Sequence, residues 1–405
     1  MVCPRDMDVH HFTPIQYPAN KKDSGVITTH FDYHSIEGRM TKLDILGHDD
    51  PTIIRMLEDL TGIDAKTIPF DDPKTLSLFS STEGIGLTPE QLQGGDQVAS
   101  LAVPECGTKF VRGMLEDSRP QTFSDLVRIS GFSHGTNVWL DNAQDLIKNG
   151  TCKLNEAIST RDDVMNFLIH RGMDRKHSFF VMENVRKGKG IEKRNKQGEA
   201  TTEFEAEMRD NNIPEWFIES CKKISYLFPR AHAVAYVMMA FRIAWFKVYH
   251  PLAFYAAYFS IRAKAFDLRI MTGGDLKTQL AEFNRIKALD KAAGPREKDL
   301  MSALEVSMEM YQRGYRFSNV DIQHSEARRF SIKDGALLPP FLAIDSLGEK
   351  VADAIVEERE QKPFTSLKDL QRRCKVSNTI IDLMKDLKCC GELPEDEQMS
   401  LFGGA

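Results

Sequence analysis

The residues Ala231–Ile261, AHAVAYVMMAFRIAWFKVYHPLAFYAAYFSI, decide how this chain folds. The stretch is rich in Ala, Val, Met, Phe and Tyr, and it is the place to test for a membrane span. Arg242, Lys247, His250 and Pro251 interrupt it well short of the roughly 18 continuous apolar residues that a span requires. Pro251 lacks the amide proton that a continuous helix would need there. The stretch therefore predicts two buried helices meeting at Pro251, in a soluble protein.

Working outward, the pattern stays helical. Ile53, Ile54, Leu57 and Leu60 recur at helical spacing, and Gly62 stands where a left-handed residue would end the turn. Helical periodicity continues to about residue 285. Loops are expected at Gly94–Gln97, at Ser130–Asn137 (SGFSHGTN) and through the polar run from Gly188 to Thr202. The segment Lys291–Lys298 separates two helical patterns. Beyond it, Leu337–Gln361 and Phe364–Cys390 form two helical units of similar size. The first 50 or so residues differ: the stretches around Val26–Phe31 and Lys42–Leu46 have strand character. The predicted class is mainly α with a small α/β part.

The length of 405 residues allows roughly two to four domains. A formal net charge of −6 argues against a surface uniformly coated for nucleic acid, but not against a basic channel in an acidic body. The seven cysteines form no C-x-x-C pair, so reduced cytosolic thiols are expected rather than a zinc ribbon or disulfides. The N-terminal MVCPRDMDVHHFTP has no apolar core of the signal-peptide kind. The expected location is the cytoplasm.

Five features could carry chemistry. Ile344–Ile355 has the layout of a helix-hairpin-helix, in which a tight turn offers backbone N–H groups to a DNA phosphate. Gly348 would permit the unusual backbone angle and a close approach, and Lys350 would add a charge; Ser346 stands where the first hairpin glycine is usual. An ordinary helical hairpin without ligand fits equally. A second such unit around Lys375–Asn378 is more degenerate. In KKISYLFPRAHAVAY, Lys222–Tyr236, His232 and Tyr236 lie four apart and share a helix face, suited either to a base and phosphate or to a core helix. In VRKGKG, Arg186, Lys187 and Lys189 suit a triphosphate, although cations at a helix end also compensate its dipole. Asp44 ends a predicted strand, as carboxylates of two-metal sites do, whereas Asp6 and Asp8 belong to a loop. His30, His34 and His48 beside Asp49 have no established metal-ligand spacing, which disfavours a metallohydrolase. Finally, Gln398, Leu401 and Phe402 stand out in an otherwise acidic tail and suit docking into a small pocket.

In order along the chain, MDVHHFTPIQYPA, THFDYHSI, KLDILGHDDPTIIRML, SSTEGIGLTPEQ, ISGFSHGTNVWLDNAQDLI, VRKGKG, NNIPEWFIESCKKISYLFPRAHAVAYVMMAFRIAWFKVYHP and QMSLF resemble the Gram-positive-type, PolC branch of the C-family DNA polymerases. The resemblance implies a C-terminal portion: the end of a polymerase-β-like palm at 1–55, helical fingers at 56–290, a duplex-binding domain with tandem helix-hairpin-helix units at 291–390, and a flexible clamp-binding tail at 391–405. It implies that Asp44 matches one of three metal-binding aspartates holding two Mg2+ ions, and that Arg186, Lys187, Lys189, His232 and Tyr236 face the incoming dNTP. Gly348 and Lys350 would hold primer-template DNA, and Gln398, Leu401 and Phe402 would bind the β sliding clamp beside other replisome subunits. The family's paired catalytic aspartates, exonuclease, PHP and thumb regions are expected upstream of Met1. The chain alone is therefore expected not to polymerise DNA. The rival class is a non-catalytic, clamp-recruited DNA-binding adaptor.

Overall fold

The apolar stretch forms two helices, Arg230–Tyr249 and Pro251–Ala257, in a computed structural model that describes residues 1–43, 45 and 47–396. His250 between them leaves helical geometry, at φ −135° and ψ 59°, so the break falls where Pro251 demands it. The longer helix is apolar on nearly all sides because it is packed on two sides. Ala233, Val237, Ala240, Phe241 and Ala244 join one hydrophobic core, while Ile243 and Phe246 join a second. Among the described residues it is the one helix long and apolar enough to cross a membrane, and half of it is buried in the fold.

Lys247 shows how this helix is fixed. Its side chain has no exposed surface, and Nζ donates to the carbonyls of Ala99 (2.8 Å) and Leu101 (2.7 Å) and to Glu309 (2.9 Å). The Tyr255 hydroxyl donates to the other Glu309 oxygen at 2.7 Å, and Arg313 donates to the carbonyl of Lys247 at 2.9 Å. Burial pulls the Lys247 ammonium down to about 8, against the opposing pull of Glu309.

The chain divides into two units, Met1–His48 and Asp49–Ala405. In the first, Ile15–Gln16 and Thr28–Thr29 pair antiparallel, with Ile15 opposite Thr29, and a bridge joins Val2 to Thr41. Lys42, Leu43 and Ile45, expected in a strand, are not in one, and Ile45 is 93% exposed.

The second unit is helical, apart from the hairpin Ser331–Lys333 with Ala336–Leu338, which turns at Asp334-Gly335. Its first helix, Asp50–Thr61, buries Ile53, Met56 and Leu57 and ends at Gly62 with φ +71°, as its sequence predicts. The loop expected at Ser130–Asn137 begins later, because Ser130–His134 complete the helix Phe123–His134. The expected division at Lys291–Lys298 falls inside a continuous core. Phe283 and Ile286 from the helix Leu276–Leu289 pack with Leu304, Val306 and Met310 from the helix Pro295–Gln312. A third core holds Phe341, Ile344, Leu347, Ala352, Ile355, Leu370 and Met384, and it clamps together the helices Glu349–Gln361, Leu367–Cys374 and Asn378–Asp386.

Candidate functional site

Four segments distant in sequence meet just before the helix Arg230–Tyr249. Ser225 N donates to the Thr136 carbonyl (3.0 Å) and Thr136 N to the Tyr226 carbonyl (3.0 Å). Leu227 N donates to the Arg186 carbonyl (3.3 Å), and Arg161 N to the Phe228 carbonyl (3.1 Å). Two glycines permit this crossing. A Cβ on Gly188, which has φ +66°, would lie 2.5 Å from the Ser225 carbonyl oxygen, and one on Gly135 would lie 2.4 Å from Val138. The SGFSHGT, VRKGKG and FPRAH stretches thus share one surface.

A row of rings lines that surface. His134 stacks on Phe228 at 4.8 Å, Phe228 meets His232 edge-on at 5.0 Å, and His232 lies 4.6 Å from Tyr236. The expectation that His232 and Tyr236 share a face holds. His134 and Phe228 were not singled out from sequence, although both lie in the quoted stretches. His134 Nδ1 lies 2.8 Å from the Ser130 carbonyl and Nε2 lies 3.0 Å from Glu105. The Ser133 hydroxyl also lies 3.0 Å from Nδ1, so the ring is held from both sides. The Glu105 hydrogen bond raises the imidazole above its usual value, against the effect of burial.

The cations are placed less simply than expected. Arg186 donates to Glu183 through two nitrogens, at 2.8 and 2.9 Å, and Lys187 reaches the same carboxylate at 3.0 Å. The Arg186 hydrogen bonds hold Glu183 down at about 2. Arg186 and Lys187 therefore share one counter-charge. Lys189 lines a neighbouring cavity with Lys176, Phe180 and Arg194, which neither Arg186 nor His232 lines. Arg230 pairs with Asp163, a carboxyl that burial pushes up but that Arg128, Ser159 and Arg230 together hold below its usual value.

In the C-terminal hairpin the strained position is Ser346, at φ +64°, while Gly348 has an ordinary φ of −76°. The left-handed turn thus falls where the usual first glycine would stand. Gly348 serves by openness instead: a Cβ there would meet nothing within 4 Å. No side chain caps the helix Glu349–Gln361, whereas Ser366 and Ser377 cap the next two helices with their own hydroxyls. Lys350 is exposed in its first turn, and Arg328 engages Glu349 at 2.7 Å, offsetting a charge that would repel an anion. At the second hairpin Lys375 is exposed with φ +57°.

Asp44 and the tail residues Gln398, Leu401 and Phe402 lie outside the described residues. Asp8 accepts from the His10 amide at 2.8 Å, which ties it into a turn, as expected of a loop. His30 bonds Gln16 at 2.9 Å and His34 pairs with Glu37 at 3.6 Å. Among the described residues of the first unit no three metal-ligating side chains come together. The described residues there do not fit a two-magnesium carboxylate site.

Residues 50–212 match the bacterial DNA polymerase III alpha subunit finger domain, and residues 314–398 match a helix-hairpin-helix motif. The chain is 54% identical to a DNA polymerase III PolC-type of Caldanaerobacter subterraneus over 99% of its length and 28% of that protein's. It is 53% identical to the Thermotoga maritima protein of that description, over 99% and 28% of the two chains. For the Bacillus subtilis protein the identity is 51%, over 99% and 27%. The chain spans little more than a quarter of the length of these curated relatives. Matched at better than half identity along nearly all of its own residues, it belongs to the PolC-type DNA polymerase III family.

Proposed function

We propose that this chain binds an incoming dNTP and the primer-template duplex as part of a cytoplasmic, replicative DNA-directed DNA polymerase. The observation that carries this reading is the meeting of the Thr136, Arg186 and Tyr226–Phe228 segments beside the His134–Phe228–His232–Tyr236 row. The ring row offers faces to a base, and Arg186 and Lys187 offer charge to a triphosphate once they release Glu183. Lys189 faces the neighbouring cavity and is not assigned to the triphosphate. The uncapped helix start at Gly348, with Lys350 beside it, would hold a backbone phosphate of the duplex. Gln398, Leu401 and Phe402 would anchor the β sliding clamp and so link the chain to other replisome subunits.

In the whole enzyme two Mg2+ ions would be held by carboxylates and would supply charge stabilisation for phosphoryl transfer. Asp44 is the proposed ligand from this chain, and no catalytic step is assigned to the described residues. The chain by itself is proposed not to extend a primer. The second reading, a clamp-recruited adaptor, is favoured by the open hairpin and needs no nucleotide site. A titration with template-primer and dNTP separates the two. Saturable dNTP binding that is lost in His232→Ala supports the polymerase reading, and no dNTP binding supports the adaptor. Primer extension by this chain alone would overturn the assignment of the missing carboxylates. In the same series Lys350→Glu weakens duplex binding, and Phe402→Ala removes clamp binding alone.

A further inference from the structure

The stacked rings of His134 and Phe228 are held by a residue outside the SGFSHGT, VRKGKG and FPRAH stretches. Glu105 meets His134 Nε2 at 3.0 Å, from a turn that precedes the helix Lys109–Ser118. That turn is pinned at several points. Lys247 donates to the carbonyls of Ala99 and Leu101, the buried Ser100 hydroxyl donates to the Cys106 carbonyl at 2.8 Å, and Arg112 donates to the Gly107 carbonyl at 2.8 Å. Between these anchors Ala102 and Glu105 both take left-handed backbone, at φ +62° and +63°. A residue with a Cβ enters that region at a cost and stays there where the surrounding structure dictates it. Glycine or asparagine would adopt it more readily than glutamate. What sets glutamate apart at this position is its carboxylate.

That carboxylate completes what the helix Phe123–His134 starts. The Ser130 carbonyl at 2.8 Å and the Ser133 hydroxyl at 3.0 Å both engage Nδ1, and both belong to the helix that His134 ends. Contacts at one nitrogen leave an imidazole able to swing about that edge, because its second side-chain torsion is soft. A partner at the far nitrogen, from another segment, fixes the plane. A carboxylate accepts, so this contact also selects a ring whose Nε2 carries a proton. The plane matters because Phe228 lies on it, 21° from parallel, and Phe228 in turn meets His232 edge-on. Phe228 stands between the helices Glu215–Lys223 and Arg230–Tyr249, so its neighbours rather than a helical ladder set its ring.

We propose that Glu105 is a positioning residue for the nucleotide surface: the strained turn holds its carboxylate where it locks the His134 ring, and that ring sets Phe228 and His232 for the incoming base. The inference rests on the reading that the ring row takes the base. It adds a residue that touches no nucleotide, and it gives the left-handed backbone at Glu105 a purpose. The same turn hangs on Lys247, so the buried Lys247–Glu309 pair supports the ring row from the far side of the central helix.

The test is calorimetric titration of the 405-residue chain on template-primer, with the complementary dNTP and with inorganic tripolyphosphate, which has the charge but no base. Glu105→Gly removes the carboxylate and relieves the backbone, so its Tm is expected at or above that of wild type. Its dNTP affinity is nevertheless expected to fall about fivefold, the worth of one aromatic contact, with tripolyphosphate affinity unchanged. Glu105→Asn tolerates the same backbone but is too short to reach His134, and it is expected to behave likewise. Glu105→Gln keeps an oxygen that accepts from Nε2 and is expected to restore most of the loss. Wild-type dNTP affinity in Glu105→Gly and Glu105→Asn overturns the proposal. So does an equal loss of tripolyphosphate, or a Glu105→Gln as weak as Glu105→Gly. His232→Ala keeps the two readings apart. If it leaves dNTP affinity unchanged, the ring row does not take the base and both readings fall; if it weakens dNTP while Glu105→Gly does not, the positioning role alone falls.

Discussion

The Lys247 ammonium and the Glu309 carboxylate face each other at 2.8 Å, and neither side chain exposes more than 1% of its surface. The pair ties the central helix Arg230–Tyr249 to the helix Pro295–Gln312 across one core. Removing one partner strands a charge in an apolar interior, so Lys247→Met is expected to lower the unfolding free energy by about 3–5 kcal/mol. Replacing both, Lys247→Met with Glu309→Leu, is expected to recover part of that loss. Denaturant unfolding of the single and double variants measures it; a single variant within about 1 kcal/mol of wild type would count against a coupled pair.

Arg186 and Lys187 share the Glu183 carboxylate, so a triphosphate must compete with it. Glu183→Gln keeps the shape and removes the competing charge. It is expected to tighten dNTP binding several-fold, with the gain shrinking as salt rises. Calorimetric titration at two salt concentrations reads this out. Weaker binding would mean that Glu183 holds Arg186 in its working position.

The Glu105 hydrogen bond raises the folded-state value of His134 above its usual one, and the Ser130 carbonyl adds to the effect against burial. The unfolded value is about 6.5. The stabilising contribution is therefore complete below about pH 6.5 and is lost as pH rises through the higher folded-state value. The difference in unfolding free energy between wild type and His134→Asn should be largest near pH 5.5–6 and should decline in alkali. A difference that grows with pH would refute the raised folded-state value.

Ser346 carries the left-handed turn of the hairpin, and Gly348 leaves open space. Ser346→Val is expected to destabilise by roughly 1–2 kcal/mol, whereas Ser346→Gly should be tolerated. Gly348→Ala should lose no more than about 1 kcal/mol of stability yet weaken duplex binding, because its methyl group occupies the approach to the helix start. Thermal melts and duplex titrations of the three variants check this. Duplex affinity unaffected by Gly348→Ala would move the phosphate elsewhere.

Local chemistry was enough to place several elements. Pro251 had to break the apolar stretch, Gly62 had to end its helix, and His232 and Tyr236, four apart, had to share a face. These are consequences of a missing amide proton, a missing Cβ and a fixed helical period. The PolC resemblance was likewise legible in long stretches of sequence before any fold was drawn.

What required the folded chain was every relationship between distant residues. The sharing of Glu183 by Arg186 and Lys187 is not among them: it spans three and four residues along one helix, a spacing already present in the sequence. Nothing marks Lys189 as facing another cavity, because Gly188 redirects the backbone only once Ser225 lies against it. Lys247 looked like an interruption of an apolar run, and it became a fully buried ion only because Ala99, Leu101 and Glu309 were brought around it. Spacing along a chain encodes local geometry, whereas burial and charge pairing depend on which remote segments condense together, and that is settled by the tertiary fold.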